Sequence, residues 1–344
     1  MEINELKSTA QALVAGEKGL LAMDESTSTC NKRFAPLGIP QTIEARRAYR
    51  ELLVTTPGLG NCISGAILFD ETIRQQTQAG VPFVDVLVGA GIVPDIKVDL
   101  GAKPLAGWPG EKVTEGLDGL RDRLAEYRQM GARFAKWRAV IAMAGPDSTS
   151  LPTPACVAAN VHALARYAAL CQEAGLVPIV EPEVLLEGDH TLARCAVVTG
   201  EVLNKLFDQL YTQGVVLEGM LLKPSMVLAG PDGAEQPSPD QVADATVTTL
   251  LRGVPAAVPG IAFLSGGQSP EQATRHLNTM HIRFKEQLPW TLTFSFSRAI
   301  QQPALEIWRG QDANVAAAQK ALFDRASANC AARRGQYARE PGAS

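Results

Sequence analysis

Short apolar runs of strand-like length recur along the whole chain, and more polar, helix-like segments separate most of them. Eight runs stand out, at 19–23, 62–69, 94–98, 132–140, 177–182, 219–222, 261–264 and 291–296. Near-continuous apolar strands are typical of a parallel sheet, because helices cover both faces of such a sheet and leave neither face in water. The pattern therefore predicts strands that are buried on both sides.

Segments with helical character fill most of the intervals between these runs. Ser269 fits a helix N-cap, Pro270 fits the first turn, and Glu271 complements the dipole at the start of a helix. Thr42 opens another segment in the same way. The predicted helices cover 42–54, 116–130, 155–173, 190–211, 239–251, 269–280 and 314–326.

Eight strands that alternate with helices predict an α/β fold, and two architectures would satisfy the pattern. The chain lacks the glycine fingerprint of dinucleotide-binding folds, which favours a closed single-domain (β/α)8 TIM barrel over an open doubly wound sheet. No linker rich in Pro, Gly or Ser separates two cores. We therefore expect one catalytic domain over 1–344, with loops at 145–154 and 230–239 and a mobile C-terminal tail at about 333–344.

Composition excludes several classes of protein. The chain has 344 residues, of which 46% are hydrophobic and 20% charged, and this is ample for a large core. A net charge of −4 argues against a nucleic-acid partner or an anionic membrane surface. No apolar run approaches the ~20 residues that span a bilayer, and the first residues lack the basic and apolar regions of an export signal.

Cysteine and histidine spacing gives no sign of disulfides or metal. The cysteines are scattered without a Cys-x-x-Cys motif, so reduced thiols in the cytoplasm are the expectation. The histidines form no His-x-His or His-x-x-x-His pair, so we expect neither a metal nor another cofactor.

Three lysines end or interrupt apolar strand-like runs, at Lys97, Lys136 and Lys223. Burial disfavours the charged form of a lysine, and the neutral amine is a nucleophile. A single lysine at a strand end more often extends its ammonium group into solvent while its stem packs on apolar surface. Three of them instead predict a pocket lined with amines, since active sites of barrels lie at the carboxyl ends of the strands.

Polar residues follow other strands too, and all are types that active sites use. They are Asp24-Glu25-Ser26, Asp99, Arg138, Glu181, Glu183, Ser265-Gly266-Gly267-Gln268, Ser295 and Arg298. Simpler interpretations exist for some of them, because Asp24-Glu25-Ser26 also fits a helix N-cap and Glu183 also fits a salt bridge.

Together these positions resemble the class I, or Schiff-base, fructose-bisphosphate aldolases. The resemblance covers roughly residues 3–337 and rests on eight motifs in the same order. They are Leu-Ala-Met-Asp-Glu-Ser-Thr (21–27), Ile-Lys-Val-Asp (96–99), Pro-Leu-Ala-Gly (104–107), Gly-Leu-Asp-Gly-Leu (116–120), Phe-Ala-Lys-Trp-Arg (134–138), Pro-Ile-Val-Glu-Pro-Glu (178–183), Leu-Leu-Lys-Pro (221–224) and Phe-Leu-Ser-Gly-Gly-Gln-Ser (263–269).

The resemblance implies that Lys223 forms a Schiff base with a ketose phosphate, because an iminium accepts electrons better than a ketone does. Glu181, expected to have a raised pKa on its apolar strand, would carry protons during iminium formation and hydrolysis. The resemblance places both Asp24 and Glu181 at the C4 hydroxyl, and either could take its proton. Lys136 would act beside them, and Glu183 is either a proton carrier or a salt-bridge partner.

A bisphosphate substrate requires cations in this otherwise acidic chain. The resemblance implies that Arg298 holds one phosphate with Ser265 and the backbone of Gly266, a turn whose amides can cradle oxygens. The remaining expected substrate-binding residues are Lys32, Arg33, Ser28 and Thr29 around the second phosphate, Arg138 in support of that side, and Lys97 and Ser295.

Some residues depart from the family pattern. Animal and plant relatives end in a tyrosine that assists enamine protonation, whereas Tyr337 is followed by seven residues here and is not assigned that role. The chain has Ser297 where a glycine is usual, so a phosphate contact of the backbone could differ. Sedoheptulose 1,7-bisphosphate, a ketose monophosphate, or a role as a non-catalytic barrel scaffold remain alternatives. By family analogy the enzyme would be a homotetramer.

Overall fold

The computed structural model describes residues 3–143 and 151–338, and its centre is a closed barrel of eight parallel strands. The strands are β1 Gly19–Ala22, β2 Ile63–Leu68, β3 Val93–Lys97, β4 Ala102–Pro104, β5 Lys112–Thr114, β6 Phe134–Ile141, β7 Val177–Val184, β8 Leu221–Leu222, β9 Gly260–Phe263 and β10 Thr291–Phe296. Going round the barrel, the order is β1, β10, β9, β8, β7, β6, β3 and β2, so that each barrel strand pairs with the barrel strands before and after it in the chain, and β1 pairs with β10 to close the ring. The TIM-barrel prediction is confirmed.

Helices surround the barrel and begin where the sequence offers capping groups. Ser238 and Ser269 both form capping boxes with a glutamine three residues later, and Thr42 accepts a hydrogen bond from Ala45 N. The helices are α1 Ile3–Val14, α2 Thr27–Phe34, α3 Ile43–Val54, α4 Asp70–Ile73, α5 Phe83–Gly89, α6 Leu120–Gln129, α7 Pro154–Glu173, α8 Leu192–Thr212, α9 Pro239–Gly253, α10 Pro270–Phe284, α11 Arg298–Trp308 and α12 Val315–Arg333. Within the described ranges, none of them is long and apolar enough to cross a membrane.

All eight predicted strands are present with shifts of up to two residues at their ends, whereas several other elements were not predicted. Helix α2 contains only Cys30 and Phe34 as buried residues, so its sequence carries little apolar periodicity. Helix α11 contains Pro303, which ordinarily argues against a helix interior. The antiparallel pair of β4 and β5 and helices α1, α4 and α5 were also missed.

Helix α1 closes the amino-terminal end of the barrel. Its residues Leu6, Leu13 and Val14 join an inner cluster of apolar side chains that includes Phe134 and Ile179 from the strands. Apolar side chains therefore fill the barrel interior at this end. Successive side chains of a strand point to opposite faces, so every second residue of each strand points into the barrel. The inward-pointing residues near the carboxyl ends of the strands lie at the opposite end of the barrel from α1.

The first residues of the predicted mobile tail are held against the core, contrary to the expectation for 333–337. Helix α12 continues to Arg333, which is buried, and Tyr337 packs against the core while its backbone N–H donates to Asn278 Oδ1 at 2.9 Å. Residues up to 337 are thus held against the barrel, and 339–344 lie outside the described residues. Most of the predicted loop at 145–154 also lies outside them.

Candidate active site

A cavity of about 410 Å³ opens at the carboxyl ends of the barrel strands. It collects residues from widely separated parts of the chain, and all five predicted catalytic residues are among them. The predicted site residues that line it are Asp24, Thr29, Lys32, Arg33, Lys97, Lys136, Arg138, Glu181, Glu183, Lys223, Ser265, Gly266, Ser295 and Arg298. Ser28 is the exception, since it is exposed outside the cavity with its Oγ 3.1 Å from Ser26 Oγ.

The two-residue period of the strands explains why charged groups meet at this end. Phe134 and Ile179 belong to the apolar cluster inside the barrel, and Lys136 and Glu181 follow them by two positions on the same faces. On β8, Leu221 of the same cluster likewise precedes Lys223, whose backbone N–H donates to Val180 O at 2.8 Å. Each of these strands therefore contributes an apolar layer first and a charged layer at the mouth.

Four side chains form a continuous chain of ion pairs at the base of the cavity. Lys223 Nζ lies 3.2 Å from Glu181 Oε1, and Lys136 Nζ lies 3.2 Å from Glu181 Oε2. Lys136 Nζ is also 2.7 Å from Asp24 Oδ2. The two lysine side chains are 4% exposed and that of Glu181 is 5% exposed, so water screens these contacts little.

The pKa of Glu181 differs from the expectation drawn from the sequence. Burial alone would raise its pKa, but the ammonium groups of Lys136 and Lys223 and the guanidinium of Arg138 lower it below the ordinary 4.5. The expectation of a raised pKa for Glu181 is thus wrong. The reason is spatial, because two cations from neighbouring strands flank one carboxylate.

Asp24 and Lys136 stabilise each other's charge. Burial opposes ionisation of Asp24, yet Lys136, Lys223 and Lys97 hold its pKa well below the usual value. Burial likewise opposes the charge of Lys136, and the two carboxylates of Asp24 and Glu181 raise its pKa well above the usual value. Lys136 is therefore a fixed cation and Asp24 a fixed anion at neutral pH.

A second pair of charges lies closer to the cavity mouth. Arg138 Nε donates to Glu183 Oε2, and this carboxylate with its neighbours raises the pKa of Arg138 even though burial opposes its charge. Lys97 Nζ lies 3.3 Å from Asp99 Oδ1, and Asp99 Oδ2 accepts from Arg138 N at 3.2 Å. Glu183 is thus in the salt bridge that was one of its two predicted roles.

Glu25 organises one wall of the cavity, a role that sequence reasoning missed. Its carboxylate accepts from Arg33 Nη1 at 2.5 Å, from Arg50 Nη1 at 2.6 Å and from Ser297 Oγ at 2.7 Å. Gln301 Nε2 donates to it at 3.0 Å. Arg50 carries no sequence signal of its own because it is one polar residue within helix α3.

These contacts limit the phosphate-binding role expected for Arg33. Its guanidinium is already paired with Glu25 and also donates to Gln302 Oε1 at 3.3 Å. The N-cap interpretation of the preceding segment holds for Ser26, whose side chain accepts from Thr29 N at the start of α2. Lys32 is exposed beside Arg33 and also lines the cavity.

The opposite wall is a glycine turn with an exposed arginine nearby. Gly266 and Gly267 have φ values of 56° and 90°, which only glycine adopts readily, and the turn brings Ser265 to the cavity. Gln268 Nε2 donates to Ser265 O at 3.0 Å and keeps the turn in place. Arg298 at the start of α11 is exposed beside it, and its cation and the turn amides together form a suitable anion site.

Comparison with known proteins places this geometry in one family. The family profile described as "Fructose-bisphosphate aldolase class-I" matches residues 5–344. A "Probable fructose-bisphosphate aldolase class 1" from Xanthomonas campestris pv. campestris is 58% identical over 338 residues, covering 98% of this chain and 99% of the relative. "Fructose-bisphosphate aldolase 6, cytosolic" from Arabidopsis thaliana is 50% identical over 334 residues, covering 97% of this chain and 92% of the relative.

A solved structure is similar over nearly the whole fold. The fructose-bisphosphate aldolase from Plasmodium falciparum, crystallised with TRAP and a small-molecule inhibitor, superposes with a TM-score of 0.95 and 48% sequence identity. The match covers 98% of this chain and 96% of that chain.

Proposed function

The chain belongs to the class I fructose-bisphosphate aldolase family, and we propose that Lys223 is the amine through which it cleaves fructose 1,6-bisphosphate. The reaction is reversible and yields dihydroxyacetone phosphate and glyceraldehyde 3-phosphate. The enzyme is a lyase of the Schiff-base type. The observation that carries the assignment is a lysine amine, 3% exposed, at 3.2 Å from a buried carboxylate in the cavity of a barrel.

Schiff-base formation requires protons to move, and Glu181 is in position to move them. Glu181 Oε1, at 3.2 Å from Lys223 Nζ, can take a proton from the ammonium group, and the neutral amine then attacks C2 of the ketose. The former carbonyl oxygen leaves as water after two protons have passed to it from the nitrogen, one after the other, by way of Glu181, and the iminium nitrogen keeps the third. Because its pKa is lowered, Glu181 is ionised and has a free oxygen lone pair for a proton, and a new iminium cation at Lys223 would favour the same ionised form.

Cleavage then breaks the bond between C3 and C4. A base takes the C4 hydroxyl proton, C4 becomes the aldehyde carbon of the first product, and the bonding electrons pass to the iminium to form an enamine. Protonation of C3 and hydrolysis of the iminium release dihydroxyacetone phosphate. Asp24 and Glu181 are both candidate bases, and Lys136 contacts both, so it holds each carboxylate in its charged form.

Two anchors would hold the phosphates. On one side, Arg298 supplies the charge while Ser265 and the amides of the Gly266 turn supply donors. On the other side, Lys32 supplies the charge, and Thr29 lies beside it. Arg33 lines the same side while it is paired with Glu25. Lys97, Arg138 and Ser295 line the space between them.

Borohydride trapping tests the assignment directly. Reduction in the presence of dihydroxyacetone phosphate should add one ligand mass per chain and map to the peptide that carries Lys223. Lys223→Met should abolish the adduct. Lys136→Met is the matched control, since it removes an equally buried amine and should still be labelled at Lys223. A label on Lys136 or Lys97 would show that the wrong amine has been assigned.

Other ketose phosphates remain candidate substrates, because the anchors would serve sedoheptulose 1,7-bisphosphate or a ketose 1-phosphate as well. Comparing kcat/KM across these substrates decides between them, and absence of cleavage for all of them would leave only the scaffold role. Cytoplasmic location and a homotetramer are further proposals. The first is supported by an Arabidopsis relative named as cytosolic, although another relative is named as chloroplastic.

A further inference from the structure

A second cavity, of about 560 Å³, lies at the opposite end of the barrel from Lys223. Its walls come from the segment between α1 and β1, from Pro259 just before β9, from the start of β10, and from the ends of α10 and α12. The strands begin here, so none of the catalytic groups reaches it. The cavity is larger than the active-site cavity, and no step of the aldolase reaction uses it.

Arg333 is a buried cation beside this cavity, and no carboxylate pairs with it among residues 3–143 and 151–338. The residue is 4% exposed; Nη1 donates to Lys18 O and Nη2 donates to Val14 O at 3.3 Å. Its Nε has no hydrogen-bond partner in the described part of the chain. Burial lowers the pKa of Arg333 to about 10, so the group remains charged at neutral pH. Glu17 stabilises the charge of Arg333 only from a distance, without contact. A buried charge with no counter-charge in contact is costly, and an anion bound in the cavity would offset part of that cost.

Other groups around the cavity agree with an anionic ligand that has an apolar body. Trp290 is 4% exposed and its indole Nε1 has no partner in the described residues. Lys285 adds an exposed ammonium group at the mouth. The one carboxylate in the wall, Glu17, is in an ion pair with Arg334 at 2.5 Å.

The remaining wall is uncharged. Burial and the nearby Arg333 lower the pKa of His281 to about 3, so this histidine is neutral at pH 7 and adds no charge. Val14, Leu288, Pro289 and Leu292 form an apolar surface. The lining therefore combines two cations, an aromatic donor and an apolar wall, which is typical of a site for a small organic anion.

We propose that this cavity binds a small organic anion, a phosphate or carboxylate carried on an aromatic or apolar body. Its charged end pairs with Arg333 and Lys285, and its body packs on Trp290 and Leu288. Such a ligand would connect the α1–β1 segment, β10 and α12, three parts of the chain that meet at the closed end of the barrel.

Fluorine NMR of enzyme labelled with 5-fluorotryptophan tests the site, because Trp290 reports on this cavity alone. Trp290→Phe assigns the resonance among the four tryptophans. The enzyme is first reduced by borohydride with dihydroxyacetone phosphate, so that the active site is occupied. Phenyl phosphate and benzoate should each move the Trp290 resonance saturably, and the better of them shows which anion is preferred. Benzyl alcohol, which has the same ring without charge, should bind at least about tenfold more weakly.

Charge variants complete the test. Lys285→Glu, an exposed substitution, should raise the Kd for the preferred anion at least about threefold. Arg333→Met should raise it about tenfold or more, with folding checked by its Tm. Lys205→Glu on α8 is the matched control and should leave the Kd unchanged. The proposal is overturned if Trp290 does not respond at about 10 mM anion, if benzyl alcohol binds equally well, or if Lys285→Glu and Lys205→Glu behave alike.

Discussion

Replacing Glu181 by Gln removes the one carboxylate that contacts both Lys136 and Lys223 within residues 3–143 and 151–338. The amide has nearly the same shape, but it cannot accept the amine proton or neutralise two ammonium groups. General acid–base catalysis contributes about 10²- to 10⁴-fold to a rate. Because each decade corresponds to about 1.36 kcal/mol, the activation free energy should rise by about 2.7–5.4 kcal/mol.

The same substitution should also destabilise the fold. Removing one partner of a buried ion pair costs about 3–5 kcal/mol, since the other charge is left without compensation. Lys136 retains Asp24 at 2.7 Å, whereas Lys223 has Glu181 as its ion-pair partner among the described residues. Because one of the two lysines keeps an ion pair, we expect the free energy of unfolding to fall by an amount near the lower end of that range.

Steady-state kcat with fructose 1,6-bisphosphate and the rate of borohydride-trapped adduct in a single turnover measure the catalytic part. Glu183→Gln is the matched control, because its partner Arg138 has a side chain that is 43% exposed and lies nearer the mouth. We expect kcat to fall less than about tenfold in the control. A kcat for Glu181→Gln within about threefold of the native value, or equal losses in both variants, would refute the role given to Glu181.

Three other predictions follow from the site. Full activity should persist in excess EDTA, because the iminium supplies the electron sink; loss on chelation and recovery with zinc would contradict the mechanism. Arg298→Ala should raise KM for fructose 1,6-bisphosphate about 10- to 100-fold, as a charge-assisted hydrogen bond is lost, and an unchanged KM would remove Arg298 from the anchor. Because the pKa of Asp24 is lowered from 3.8, its contribution to stability is present above that pH and is lost as pH falls through the folded-state pKa. Acid unfolding of Asp24→Asn, followed by circular dichroism, should therefore show a smaller loss of stability below about pH 4 than the native chain shows; equal losses would contradict the shift.

The sequence by itself determined the architecture and most of the residues in the cavity. Apolar runs of strand length and capped helices are local signals, because backbone hydrogen bonding and side-chain periodicity depend on near neighbours in the chain. The parallel topology then brings every strand end to one place, so Lys136, Glu181 and Lys223 could be assigned to one pocket. Helix α2 was not predicted, because tertiary contacts rather than an apolar pattern in its own sequence stabilise it.

Only the tertiary structure decided how the charges are distributed. The pKa of Glu181 is lowered because lysines 45 and 42 residues away in sequence lie 3.2 Å from its oxygens. Arg33 is paired with Glu25 because the fold places the two side chains in contact. Arg333 carries a buried charge because α12 packs over the closed end of the barrel. Coulomb energies depend on distance and on exposure to water, and a linear sequence specifies neither until the chain has folded.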